Sequence, residues 1–397
     1  MDEPRSDALR RIAHLDMDAF YASVELLRYP QLKDFPLVIG GAPTAADRAL
    51  RQLYADTPLA EIPAEAFPRL QAYTGRGVIT TANYLARVFG VGSAMGLMKA
   101  AKLCPQAILL PVDFAEYKRY SAAFKKVILE IAPVMESRGV DEVYIDFSAV
   151  PGGQRQGGRA LARLLQKCIF DATGLTCSIG VAPNKLLAKM ASEFHKPNGI
   201  AIVYERDFEE KFFPLPVRKI HGIGPKTEAK LHALGILTIA DLAALEKSML
   251  QQQFGEKYGM WLHEAAAGRD ERPVETHSEP VSMSRETTFE RDLHAQSDKA
   301  ELGQIFTQLC ERVAADLQRS GYVGKTIGIK IRYADFKIAT RDATITVATN
   351  DAQAIRLAAG LCLKRVDLSR RFRLLGVRVG GLQKLGAVPA PADDLLL

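Results

Sequence analysis

The sequence predicts a multidomain chain built of α/β and α+β layers, and three observations carry that expectation. At 397 residues the chain exceeds what one hydrophobic core ordinarily supports, which implies about two to four domains. An α/β pattern spans residues 11–20 and 112–203, with a helical, loop-rich stretch inserted between its halves. A β-α-β-β-α-β order, the split pattern of ferredoxin-like modules, fills residues 282–381.

Residues 11–17 alternate as a strand, after which Asp18 is placed to cap a helix with Phe20, Val24 and Leu27 on one face. The insertion that follows contains a Pro/Ala-rich stretch, 42–75, that reads as an elaboration on a small domain. Tyr117, Tyr120, Phe124, Val127 and Ile131 then step by three and four along a long amphipathic helix. Strand 143–148, helix 159–172 ended by Gly174, strand 176–181, helix 184–194 and strand 200–203 complete the layer.

Residues 205–268 are helical. Within them, the run from Ile220 to Thr227 reads as a tight hairpin opening a helix, whose free N–H groups at Gly222 and Gly224 suit a phosphate. Lys226 and Lys230 flank that opening, which favours phosphate contact over an ordinary glycine turn. Polar residues 269–281, with Pro273 and Pro280, read as a linker. In the final module strand 282–290, helix 298–319, strands 325–333 and 338–348, helix 351–367 and strand 371–381 follow one another. On its second strand Ile327, Ile329 and Ile331 point to one face, while Lys330 and Arg332 share the other with Gly328. The module shows no cluster of exposed aromatic residues for stacking bases, so tracking of a phosphate backbone fits it better than reading of sequence.

Charge supports that division. Residues 282–386 carry 18 Lys+Arg against 11 Asp+Glu, so this one module holds essentially all of the chain's net +6, as expected of a segment that follows a polyanion. No run of about 20 apolar residues suggests a membrane span, and the N-terminus does not resemble a signal peptide, so a cytoplasmic protein is expected. The five cysteines are scattered without Cys-x-x-Cys spacing and indicate neither zinc nor a disulfide framework.

The chemistry resides in two acidic clusters, His14-Leu15-Asp16-Met17-Asp18 and Val140-Asp141-Glu142-Val143-Tyr144-Ile145-Asp146, each in an apolar, strand-like run. Carboxylates in such runs cost free energy unless paired, hydrogen-bonded or bound to a cation. Convergence on one sheet edge would make a divalent-metal site; separate solvated strand ends are the alternative. Strict alternation sends Asp141 and Glu142 to opposite faces, so both must sit at a strand end or turn where alternation fails.

The motifs Asp16-Met17-Asp18-Ala19-Phe20-Tyr21-Ala22, Thr81-Ala82-Asn83-Tyr84-Leu85-Ala86-Arg87, Asp141 to Asp146, Ser178 to Lys185 and His195-Lys196-Pro197-Asn198-Gly199 resemble, in order, those of the Y-family DNA polymerases. The resemblance spans roughly residues 10–385. It implies a right-hand polymerase with a ferredoxin-like palm (11–20 and 112–203), small fingers (21–111), a helical thumb with a helix-hairpin-helix (204–270), a linker (271–281), a little finger (282–385) and a tail (386–397). It also implies error-prone translesion synthesis in damage tolerance, without proofreading, on primer-template DNA and dNTPs, by a monomer.

By the same resemblance Asp16 and Asp141 bridge two Mg²⁺ ions, the Met17 carbonyl is a backbone ligand, and Glu142 completes the catalytic set. Phe20, Tyr21, Thr81, Tyr84, Arg87 and Lys196 are implied at the nucleotide, with Tyr21 as the steric gate against a ribose 2′-hydroxyl. Gly222, Gly224, Lys226, Lys330 and Arg332 are the candidate DNA contacts. Asp18 and Asp146 are expected in supporting roles only. Gly139 and Gly96 depart from the usual serine and proline, and the tail Ala392-Asp393-Asp394-Leu395-Leu396-Leu397 resembles only part of a sliding-clamp peptide. A nucleotide cyclase could place carboxylates on a similar palm but has no use for the hairpin or the basic module. A DNA-binding accessory protein would be expected to lack the carboxylates.

Overall fold

The computed structural model describes residues 9–386, which divide into two compact units meeting between His277 and Ser278. In the first unit, strands β1 (Ile12–Met17), β2 (Leu37–Gly40), β3 (Ile79–Ala82), β4 (Ile108–Leu110), β5 (Met135–Ser137), β6 (Glu142–Asp146), β7 (Cys177–Ala182) and β8 (Ile200–Ile202) form two sheets. The larger has the order β5-β6-β1-β7-β8, with β1 central and antiparallel to both neighbours. The smaller, β3-β2-β4, lies wholly within the insertion between β1 and β5.

The larger sheet is buried on both faces, and this decides where its polar residues point. Ala13, Leu15 and Met17 share one core with Val143, Ile145 and the helices Phe114–Ile131 and Arg159–Thr173, through Tyr117, Phe124, Leu161 and Leu165. Ile12 and Tyr144, on the other face, join Leu186, Leu187 and Met190 of the helix Lys185–Ser192. By the two-residue period of a strand, His14 and Asp16 share this second face.

Several local expectations are corrected. Asp18 does not cap the helix Phe20–Arg28: its N-cap is Ala19, in a left-handed conformation with φ 44° and no side-chain capping bond. Tertiary donors take the Asp18 carboxylate instead. Leu27, expected on the apolar face, is 41 % exposed. The stretch 42–75 holds the helix Ala45–Leu53, closed at its start by a Thr44–Asp47 capping box, followed by three short 3₁₀ turns.

The polar stretch taken as a linker is docked over its first half. Asn184 donates to the Gly268 carbonyl (2.7 Å), the Leu186 N–H to Asp270 (3.0 Å), and the Glu275 N–H to Glu136 (2.9 Å). Lys185 reaches both Glu136 (2.5 Å) and the Pro273 carbonyl (3.0 Å), and the two side chains of this ion pair are each only 6 % exposed. Buried donors and acceptors that need partners explain the docking, which composition alone could not reveal.

The second unit has β9 (Ser282–Leu293), the helix Lys299–Ser320, β10 (Tyr322–Tyr333), β11 (Ile338–Thr349), the helix Ala352–Leu363 and β12 (Phe372–Lys384), in the expected β-α-β-β-α-β order. Its antiparallel sheet runs β11-β10-β12-β9. Ile327, Ile329 and Ile331 are buried under the two helices. The second helix ends at Leu363 rather than 367, and β12 extends to Lys384. Cys104, Cys177, Cys310 and Cys362 are free and buried, and Cys168 is free and half-buried. Among the described residues no helix is long and apolar enough to cross a membrane. The expected clamp-like tail, 392–397, lies outside the described residues.

Candidate functional site

The register of the larger sheet places Asp16 on β1 directly beside Glu142 on β6 and Ser178 on β7. One side-chain donor from each of His14, Asp16 and Glu142 lies within 4.8 Å of the others, a spacing that could hold a metal ion. Asp141 stands just before β6, where alternation no longer applies. Its carbonyl accepts the Met17 N–H at 3.0 Å, so the two acidic clusters are joined through backbone. The Asp141 side chain is not in the tight set, yet its charge acts on both Asp16 and Tyr21.

Two ammonium groups reach these carboxylates. Lys196 lies 3.1 Å from Asp16 and 2.5 Å from Glu193, while Lys189 bonds Glu142. Burial pushes the Asp16 carboxyl up to about 6, against the opposing pull of Lys196. Burial also raises Asp141. Glu142 is held down to about 2 by its hydrogen-bonded contact with His14 and by Lys189. His14, wholly buried between Ser192 (2.9 Å) and Glu142 (3.2 Å), is driven down to about 4 by desolvation and is neutral at pH 7. His14, Lys189 and Ser192 were not among the residues expected at the site from sequence. The period-two step from Asp16 back to His14 was the available signal.

Around this cluster lie the residues expected at a nucleotide. Tyr21 is half-buried, stacked on Tyr117 with ring centroids 4.1 Å apart and edge-on to Phe114. Phe20 beside it is 2 % exposed against Phe124, so its ring belongs to the core. Thr81 is buried on β3, and Asn83 caps the turn that carries Tyr84 and Arg87 by accepting from the Ala86 N–H at 2.9 Å. Arg87 donates to the Ala82 carbonyl (3.0 Å) and its guanidinium lies over the Tyr84 ring. The Tyr84 hydroxyl is 3.4 Å from Asp18, and burial with that neighbouring charge pushes its pKa up to about 12.

The hairpin at 220–227 has the expected form. Gly222 has φ 117°, and a Cβ there would meet the Trp261 indole at 2.6 Å, so both conformation and space require glycine. Gly224 is the N-cap of the helix Pro225–Ala233, and Lys226 is exposed on its first turn. Lys230, expected beside the opening, instead bonds the Gln253 carbonyl and lies over the Phe254 ring.

In the second unit Lys330 and Arg332 lie on the sheet face away from the buried isoleucines, but that face is not simply basic. Lys330 is paired with Glu286 (2.8 Å) and Arg378 with Asp342 (2.9 Å). Arg332 is half-buried, with its Nε atom buried and unpartnered.

The impB/mucB/samB family model matches residues 15–193, and the model of that family's C-terminal domain matches residues 280–392. A third, described as the thumb domain of DNA polymerase-iota, matches residues 218–270. The chain is 38 % identical to a DNA polymerase IV of Alkalilimnicola ehrlichii, over 98 % of this chain and 99 % of that relative. It is 36 % identical to a DNA polymerase IV of Caulobacter vibrioides, over 92 % of this chain and 82 % of the relative. Among solved structures, the "Y-family DNA polymerase chimera Dbh-Dpo4(243-245)-Dbh" aligns with a TM-score of 0.76 at 24 % identity, covering 93 % of this chain and 98 % of that one.

Proposed function

The chain belongs to the impB/mucB/samB family of Y-family DNA polymerases, and from that membership we propose how its residues carry out template-directed addition of dNTPs to a primer. Asp16, Asp141 and Glu142 form the catalytic centre. The observation that carries this reading is that carboxylates from two distant segments meet on one face of the sheet, and that Asp16 and Glu142 each hold a lysine ammonium. A site that already collects positive charge, with mainly carboxylate and carbonyl oxygens, fits hard divalent cations such as Mg²⁺.

Asp16 and Asp141 would hold two such ions between them, with the Met17 carbonyl and Glu142 completing the set. When bound, the ions supply charge that acidifies the primer hydroxyl and neutralises the triphosphate and departing pyrophosphate. Tyr84, Arg87 and Lys196 bind the triphosphate. Arg87 must then leave the Tyr84 ring, and Lys196 must exchange part of its contact with Asp16 for phosphate oxygen. Tyr21, fixed against Tyr117 and Phe114, closes the space beside the sugar at its 2′ position.

In this reading the larger sheet with its helices is the palm, the β3-β2-β4 section the fingers, the helices from 204 to 270 the thumb, and the second unit the little finger. Gly222, Gly224 and Lys226 contact DNA phosphates through backbone N–H groups and an ammonium, and Lys330 and Arg332 do so from the second unit. We assign no proofreading to the chain and read it as a translesion enzyme acting as a monomer, with the tail offering a degenerate clamp contact.

Primer extension with Mg²⁺ and dNTPs tests the reading, comparing the parent chain with Asp16→Ala and Asp141→Ala. Template-dependent extension abolished in both variants supports it. Extension that survives in either one overturns the ligand assignment, and none by the parent overturns the whole.

A further inference from the structure

Asp18 lies two residues beyond Asp16, yet its side chain is outside the carboxylate cluster and makes a different set of contacts. It is only 3 % exposed, and three segments of the first unit converge on it. Ser178 of β7 donates its hydroxyl to Oδ1 at 2.7 Å, the Asn198 N–H donates to Oδ2 at 2.8 Å, and the Tyr84 hydroxyl stands 3.4 Å from Oδ1. An ionised carboxylate only accepts, so it suits three donors; an amide in its place would turn one N–H group toward another donor.

Two of those three donors belong to segments that carry triphosphate-binding groups. Asn198 sits at φ 56° in the turn Lys196-Pro197-Asn198-Gly199, a left-handed conformation that asparagine adopts more readily than most non-glycine residues and that points its N–H at Asp18. The turn is closed on itself, since a Cβ on Gly199 would collide with the His195 carbonyl. Its far side is tied to β7 by the Ile179 N–H on the Gly199 carbonyl, at 2.9 Å. The Asp18–Asn198 bond ties its near side, and two residues earlier the Lys196 side chain is held 16 % exposed beside Asp16. Tyr84 approaches the same carboxylate from the β3-β2-β4 section.

We propose that Asp18 is a positioning residue for the incoming nucleotide. From one buried carboxylate it fixes the turn that presents Lys196 and the hydroxyl of Tyr84, so both reach the triphosphate from a common reference point. The proposal rests on reading Lys196 and Tyr84 as triphosphate ligands.

The test is a pair of double-mutant cycles in single-nucleotide primer extension, reading kcat and KM for dNTP separately, with primer-template affinity measured alongside. Asp18→Asn is expected to raise KM for dNTP about tenfold, with a smaller change in kcat and unchanged DNA affinity. Combined with Lys196→Ala or with Tyr84→Phe, it should raise KM by less than the product of the two single effects, because part of what Asp18 positions is already gone. Fully additive effects, or an equal fall in kcat with KM unmoved, overturn the proposal and leave the triphosphate reading standing. If Lys196→Ala and Tyr84→Phe each leave KM unchanged, the triphosphate reading fails and the proposal fails with it. Should Asp18→Asn not fold, Ser178→Ala removes the strongest anchor of Oδ1 while keeping the Asn198 bond. A severalfold rise in KM, non-additive with Tyr84→Phe, then supports the proposal, and an unchanged KM overturns it.

Discussion

The Lys196 ammonium lies 3.1 Å from the Asp16 carboxylate, yet Asp16 remains hard to ionise, with its pKa pushed up to about 6. Burial outweighs the ion pair. The sign of the stability effect follows: a carboxyl whose folded pKa is raised imposes a penalty that is absent below its unfolded pKa near 4, grows as pH rises, and is complete above about 6.

Replacing Asp16 with Asn should therefore stabilise the metal-free protein at pH 7.5 while abolishing extension. A shift of this size corresponds to at most about 3 kcal/mol, or roughly 3–6 °C in the melting midpoint of the first unit. Lys196 keeps Glu193 as a partner in the variant. Scanning calorimetry with chelator checks this, and a lower midpoint for Asp16→Asn would contradict it.

The same titration governs cation binding. Because Asp16 must lose its proton, Mn²⁺ or Mg²⁺ affinity measured by calorimetry should be level above about pH 6.5. Below pH 6 it should fall towards tenfold per unit. Glu142, held near 2, stays ionised throughout this window, and His14, near 4, stays neutral until its lower end. Equal affinity at pH 5 and pH 7 would remove Asp16 from the ligand set.

The fold was legible wherever periodicity sufficed, as in the order of the second unit and the long helix through Tyr117 and Phe124. What stayed hidden depended on partners remote in sequence. Asp18 reads as a helix cap until Ser178 and the Asn198 N–H are seen on its carboxylate. The stretch 269–281 reads as free until Lys185 and Glu136 are seen beneath it. Lys330 reads as an open cation until the sheet register brings Glu286 into a pair with it. At the site, Asp16 and Glu142 were accessible as acidic residues in apolar strands, but His14 needed a further step along β1.

Tyr21 is stacked at 4.1 Å on Tyr117, so its ring cannot easily swing aside to admit a larger sugar. Tyr21→Ala should raise the ratio of ribonucleotide to deoxynucleotide incorporation by at least about tenfold, the lower range of discrimination by shape. Competition assays with matched rNTP and dNTP measure it. An unchanged ratio would take the steric gate away from Tyr21.

The Lys185–Glu136 pair is a buried fastening of the stretch from 269 to 277. Lys185→Met takes the buried cation from Glu136 and leaves its carboxylate with Arg138 at 3.4 Å and the Glu275 N–H, so the cost should fall below the roughly 3–5 kcal/mol of stranding a buried charge outright. We expect a lower melting midpoint and faster protease cleavage between residues 269 and 277. Adding Glu136→Leu removes the carboxylate that has lost its buried cation and should recover much of the midpoint. Protease resistance should not return with it, because the double variant leaves neither the Glu275 N–H nor the Pro273 carbonyl its partner. Recovery of both properties would mean that the pair does not hold the stretch.

On the second unit, Lys330 is available to DNA only at the expense of Glu286, its partner at 2.8 Å. Neutralising Lys330 and Arg332 should weaken binding to all duplex sequences, and each phosphate left without its cation should flatten the log–log salt slope by about 0.9. Glu286→Gln should act in the opposite direction, because Lys330 then meets phosphate without first leaving a carboxylate and a repulsive charge is removed from the face. The expected gain is a few-fold in affinity at low salt, shrinking as salt rises through screening. Fluorescence anisotropy across a salt series reads both variants. An unchanged slope for the Lys330 and Arg332 double variant, together with no gain for Glu286→Gln, would place the duplex on another surface of the chain.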